Sequence, residues 1–202
     1  AQSGAAQSGA AHTGAAHTDA EASDFWVVTS YFNPARFQRR TQNYHAFRRN
    51  LNVPLLSVEL ARPGAPFELS QGDADIMVQL SGEDRLWQKE RLLNIAVARL
   101  PAHVRYVAWV DCDVIFDDPD WAAQTRALLQ AQSCLVQPFA ALWHQQAGFD
   151  PVTASRDSAA AATPYFTEYS FASILEHEPF SFDAFPCHRG VVDDNGLPPQ
   201  GR

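Results

Sequence analysis

The sequence predicts an α/β fold, a mostly parallel sheet with helices on both faces. Two observations carry this. From Phe25 to about Ala141, short β-rich runs alternate with segments of helical period. One of those runs, "VRYVAWV" from Val104 to Val110, is apolar on both faces, as a central parallel strand covered by helices must be. A chain of 202 residues is long enough for one domain with a sizeable core.

The elements follow in order. Residues 1–20 repeat a five-residue unit of small and polar types, AQSGA AQSGA AHTGA AHTDA, which cannot offset its ordering entropy. Residues 1–23 are therefore expected to be a disordered tail, and His12 and His17 within it face no other type of metal ligand. "FWVVTS" is a first strand and "SYFNP" a loop. Phe37, Tyr44, Phe47 and Leu51 recur at roughly helical spacing, predicting a helix from Pro34 to about Leu51. "VPLLSVEL" is a second strand, residues 61–74 a Pro- and Gly-rich loop, and "DIMVQL" a third, shorter strand.

Ser81-Gly-Glu-Asp84 has the form of a capping box opening the helix "RLWQKERLLNIAVARL", with Leu86, Leu93, Val97 and Leu100 as its buried stripe and Pro101 as its stop. After the central strand, Asp118-Pro119-Asp120 reads as a cap with proline at the first helical position, followed by helix to about Gln132. "CLVQPFA" is expected to be one more strand. Residues 24–147 thus form the α/β domain. Across 148–202 the rhythm is lost, and the region has no clear period.

Composition narrows the function. Apolar residues make up 46% and charged residues 19%, an ordinary soluble composition. A net charge of -8 opposes general affinity for nucleic acid or anionic membrane. No apolar run approaches the ~18 residues of a membrane span. The start lacks the basic-then-apolar plan of a signal peptide. Cys112, Cys134 and Cys187 are odd in number and widely spaced, which indicates neither a disulfide framework nor a zinc knuckle. The expected setting is reducing and cytoplasmic.

"YVAWVDCDVIFDDPDW" concentrates acids where an apolar run ends. Asp118 and Asp120 have a sufficient task as helix-cap and first-turn carboxylates, and Asp117 as a loop residue. Asp111 and Asp113 differ. Period-2 geometry sends both to one face at the carboxyl end of a buried strand, with Cys112 opposite. Ligands in open α/β sheets sit at that end. Two like charges so close stay ionised only beside a counter-cation. Oxygen-only ligation favours Mg²⁺ or Mn²⁺, completed by water and substrate phosphates.

"LWQKERLLNIAVARLP" followed by "VAWVDCDVIF" resembles the middle of a nucleotide-sugar-dependent glycosyltransferase of the GT-A fold, nearest the family-2-like group. The opening "VVTSYFNP" is similar to that family's first strand and nucleotide loop, with Ser30 where a proline is usual. The resemblance spans about Phe25 to Ala141. It implies transfer of a sugar from a nucleotide-diphosphate sugar to an acceptor it does not identify. It further implies that Thr29, Ser30 and Tyr31 lie beside the base and ribose and that Glu59 bonds the nucleoside. Arg91 and Asn94 would face the nucleotide or brace the metal loop. Asp113 would ligate the metal bridging the phosphates, with Asp111 assisting it or contacting the ribose. A divalent cation stabilises the charge that builds on a departing diphosphate.

Such enzymes also need an acceptor half, with a carboxylate base when they invert. Glu168, Glu176 and Glu178 are the base candidates, by type and location alone. Two rival readings stand beside this one. A haloacid-dehalogenase-like phosphatase also carries Asp-x-Asp after an apolar strand, but Val114 and Ile115 replace its usual Gly-Thr, and the only lysine, Lys89, lies upstream. A degenerate GT-A-like domain would serve as a binding module without catalysis. Among the weaker clusters, Arg36, Arg39, Arg40, Arg48 and Arg49 read as a solvated helix face, and Asp73 with Asp75 as a turn. His144 is a candidate to complete a metal shell, Trp143 to line an acceptor sugar, and Trp87 reads as core.

Overall fold

The computed structural model describes residues 22–83, 88–131, 135–150, 152–153, 157, 163–171 and 173. The repeat tail, Asp84, Leu86, Trp87, Glu176 and Glu178 lie outside the described residues. The chain divides into two units, residues 1–126 with 150–160, and residues 127–149 with 161–202.

The first unit is a parallel sheet. Its strands are β1 (Phe25–Phe32), β2 (Leu55–Ala61), β3 (Ile76–Ser81) and β4 (Tyr106–Trp109), in spatial order β3-β2-β1-β4. Val27 pairs with Leu55, Phe25 with Tyr106 and Leu56 with Ile76, every pairing parallel. Parallel neighbours need crossovers: α1 (Gln38–Asn50) joins β1 to β2, a loop with a 3₁₀ turn at Gln71–Asp73 joins β2 to β3, and α2 (Lys89–Val97) lies on the path from β3 to β4, with α3 (Trp121–Ala131) following β4.

Alternating side chains divide between two layers. Trp26, Val28, Leu56, Val58, Leu60 and Val78 pack with Leu92, Leu93 and Ala96 of α2. On the opposite face Tyr31 meets Tyr44 of α1 edge-on, ring centroids 5.4 Å apart, and Phe25 meets Trp121 of α3 at 5.8 Å. Helices therefore cover both faces, and all seven residues of β2 are buried. The α/β class read from the sequence holds at this level.

Polar anchors fix the ends. Arg126 grips Asp24 through two bonds of 2.7 and 2.8 Å just before β1. Asp75 accepts from Arg48 at 3.1 Å and from the Leu55 N–H at 2.8 Å, while Asp73 closes a capping box with Ser70. The second Asp-x-Asp is thus the turn it was read to be. Asp118 accepts from the Asp120 N–H at 2.8 Å and from the Gln124 amide at 2.8 Å, as a capping residue should.

Four expectations are corrected. Ser81 ends β3 by pairing with Ala61, and the N-cap of α2 is Gln88, which makes no side-chain cap bond. The buried residues of α2 are Leu92, Leu93 and Ala96, whereas Val97 is 39% exposed. Leu135–Ala140 is not a strand, because Pro138 has no N–H for a ladder. β4, expected as a central strand, stands at the edge of the sheet among the described residues, with Trp109 60% exposed.

The second unit holds an antiparallel pair, β5 (Ala141–His144) and β6 (Phe166–Tyr169), with Ala141 opposite Tyr169 and His144 opposite Phe166. The strand FTEY lies in the stretch for which the sequence showed no period. Among the described residues, no helix is long and apolar enough to cross a membrane.

Candidate functional site

The chain builds β1, β2 and β3 toward one side and then returns to place β4 on the other side of β1. The carboxyl ends of β1 and β4 therefore flank a topological switch point, where ligands of open α/β sheets bind. Two loops emerge there: Asn33–Phe37, leading to α1, and Val110–Asp113 after β4.

In the first loop Arg36 has φ 56°, a left-handed conformation uncommon for a residue with a side chain. It is held by its N–H to the Asn33 carbonyl at 3.0 Å and by its guanidinium to the Pro66 carbonyl at 3.2 Å. Asn33 Oδ1 also accepts from the Phe37 N–H at 3.0 Å. In the second loop β4 pairing stops at Trp109, though the Val110 N–H still reaches the Val28 carbonyl at 3.2 Å. Asp111-Cys112-Asp113 thus forms a turn beyond the strand rather than its last residues. The expected alternation survives: Val110 and Cys112 are buried, Asp111 and Asp113 exposed.

The two carboxylates have unlike surroundings. Asp111 is ion-paired with the Lys89 ammonium at the start of α2. Asp113 is exposed by area, yet enough protein crowds its carboxyl to raise its pKa, first by loss of water and then through the Asp111 charge. Arg40 and Lys89 pull the other way. Between them, burial pushes the Cys112 thiol up to about 12, so it stays neutral.

Among the described residues, no three His, Cys, Asp or Glu converge on a common point. A Mg²⁺-like ion does not require three, since it is held by one or two carboxylates plus substrate phosphates and keeps several waters. Two exposed, oxygen-bearing side chains on one turn fit that demand. His144 instead lies with Nε2 3.3 Å from Glu168 Oε1, and both are about half exposed.

The nucleotide candidates separate. Thr29 is fully buried, and its Oγ1 has no hydrogen-bond partner among the described residues. Ser30 is half-buried. Tyr31 is 1% exposed, and its hydroxyl donates to Glu68 Oε2 at 2.5 Å. Asn33 Nδ2 and Thr41 Oγ1 donate to the same oxygen at 2.8 and 3.2 Å. Burial alone would raise the Glu68 pKa, but these three donors prevail and hold it below the usual carboxylate value. The Glu59 carboxylate accepts from the Glu68 and Leu69 N–H groups at 2.6 and 3.3 Å and from Gln79 at 3.0 Å. It braces the loop that carries Glu68.

The hollow between these groups, bounded by Tyr31, Asn33, Arg36, Glu59 and Glu68, holds about 30 Å³, enough for water but not for a nucleobase. Arg91 and Asn94 both lie on the exposed face of α2, with Arg91 3.4 Å from Gln88 Oε1. The structure thus brings Asp111 and Asp113 together and directs Thr29, Tyr31 and Glu59 inward. Glu68 went unread in the sequence because its partners Tyr31, Asn33 and Thr41 are distant in the chain, and Lys89 stood out there only as a lone lysine upstream of the motif.

Scanned against family models, curated proteins and solved structures, the chain matches none of them. The class defined by the geometry is architectural: a parallel α/β sheet with paired carboxylates at its switch point.

Proposed function

We propose that the parallel-sheet unit binds a nucleotide-diphosphate sugar together with Mn²⁺ or Mg²⁺, and that the chain is a GT-A-type glycosyltransferase. One observation carries the reading: Asp111 and Asp113 share an exposed turn at the β1/β4 switch point. Asp113 and Asp111 would hold the ion, which supplies positive charge to a departing diphosphate. The chain's own part is to hold two carboxylates at close range on a short, hydrogen-bonded turn, with Arg40 and Lys89 moderating their repulsion. Glu168, the one described base candidate, is paired with His144, so the base and the acceptor remain unassigned.

One contact favours a second reading. Lys89 balances Asp111, which is the charge partner a haloacid-dehalogenase-like phosphatase requires, although it precedes the motif in the chain. Thermal-shift titrations with UDP and Mn²⁺, singly and together, separate the two. A transferase responds to both in combination, and Asp113→Asn abolishes the response, while Asp118→Asn retains it because asparagine caps nearly as well. Equal loss in both variants would sink the metal reading. Hydrolysis of p-nitrophenyl phosphate lost with Asp111→Asn would favour the phosphatase.

A further inference from the structure

Lys89 is the only lysine in the chain, and it opens α2, where a cation faces the positive end of the helix dipole. Helix stability therefore does not account for an ammonium at this position. The ammonium instead contacts Asp111 Oδ1, with side-chain exposures of 30% for Lys89 and 55% for Asp111. An ion pair this open to water is weak and readily exchanged.

From this we infer that Lys89 is a built-in counter-cation for Asp111, which a divalent ion must displace before both carboxylates can ligate it. The inference rests on the metal reading above and adds a threshold to it. In the resting protein the ammonium already satisfies one of the two acids. An arriving ion must therefore move that positive charge away. Binding without a diphosphate is then weak, because no added negative charge offsets that repulsion. A second cation on the oxygen that Lys89 holds would also be repelled at short range.

The test is Mn²⁺ binding to the full chain without nucleotide, followed by electron paramagnetic resonance of the free ion. Lys89→Gln should bind Mn²⁺ about five- to tenfold tighter than wild type, the scale expected for removing one partly screened charge near a divalent ion. Lys89→Arg, which keeps the charge, should match wild type. Lys89→Ala provides a second neutral variant, and circular dichroism checks that each is folded. A second readout follows the amine itself. Saturating Mn²⁺ should speed acylation of Lys89, read by peptide mapping, and Asp111→Asn should speed it without any metal. If the neutral variants bind no tighter than wild type while Asp113→Asn still abolishes binding, the inference falls and the metal reading stands. If Asp113→Asn leaves Mn²⁺ binding unchanged, the metal reading falls as well.

Discussion

All seven residues of β2 are buried, whereas no residue of β6 is. β6 (FTEY) carries three residues that favour β-structure and β2 (LLSVELA) only Val58, so propensity alone would rank them the other way. Connection decides. Parallel strands must be joined by crossovers, and the helices among these bring a covering layer to each face of β2. An isolated two-stranded antiparallel pair has too little area to bury much of itself. Trp143, Phe166 and Tyr169 accordingly stand 43, 52 and 63% exposed. Burial is conferred by what the next segment does.

The contrast can be broken by mutation. Leu56→Ala in the parallel sheet should cost about 2–5 kcal/mol of stability, the usual range for emptying a core leucine site. Urea unfolding followed by tryptophan fluorescence would measure it, and a loss below about 1 kcal/mol would mean that the core is not packed as described.

A smaller effect sharpens the picture at the polar edge of the same unit. Glu68→Gln should cost about 1–2 kcal/mol at pH 7, since the donors from Tyr31, Asn33 and Thr41 lose a charged acceptor. The folded pKa of Glu68 lies below the unfolded value of 4.5, so this contribution is present above 4.5 and is lost as pH falls through the folded value. The gap between wild type and variant should therefore close under acid. A gap unchanged from pH 7 to pH 3 would assign the effect to packing.

Tyr169→Ala in β6 should cost at most about 0.5 kcal/mol, as for exposed positions in general. A loss comparable with that of Leu56→Ala would erase the distinction between the two units. Smallest of all, removing residues 1–20 should shift Tm by less than about 1 °C, because their repeat has no bulky apolar side chain to bury. Differential scanning fluorimetry would settle it.

Much of the parallel sheet was legible because its signals are local. The apolar runs around Val27, Leu56 and Val78 mark strands wherever they pair, and Asp118 caps through neighbours two and six residues ahead. Ser81 was misread for the same reason. Its capping-box pattern is local, but the pairing of Ala61 with Ser81 extends β3 through it. In "CLVQPFA" Val136 and Phe139 favour a strand, but the missing N–H of Pro138 decides. At the site, Asp111 and Asp113 were visible as acids closing an apolar run. The engagement of Glu59 with the Glu68 loop was not, because a strand carboxylate does not announce which backbone amides will turn toward it.

Cys112 gives the switch-point turn a built-in clock. Its thiol is buried and held neutral between two carboxylates, so an alkylating reagent reaches it only when the turn opens. The labelling rate at this one position, resolved from Cys134 and Cys187 by peptide mapping, therefore counts openings per unit time. Any ligand that ties Asp111 to Asp113 across the thiol should slow that clock. Occupancy of the turn then becomes readable from a stopwatch and a mass spectrum, with no substrate in hand.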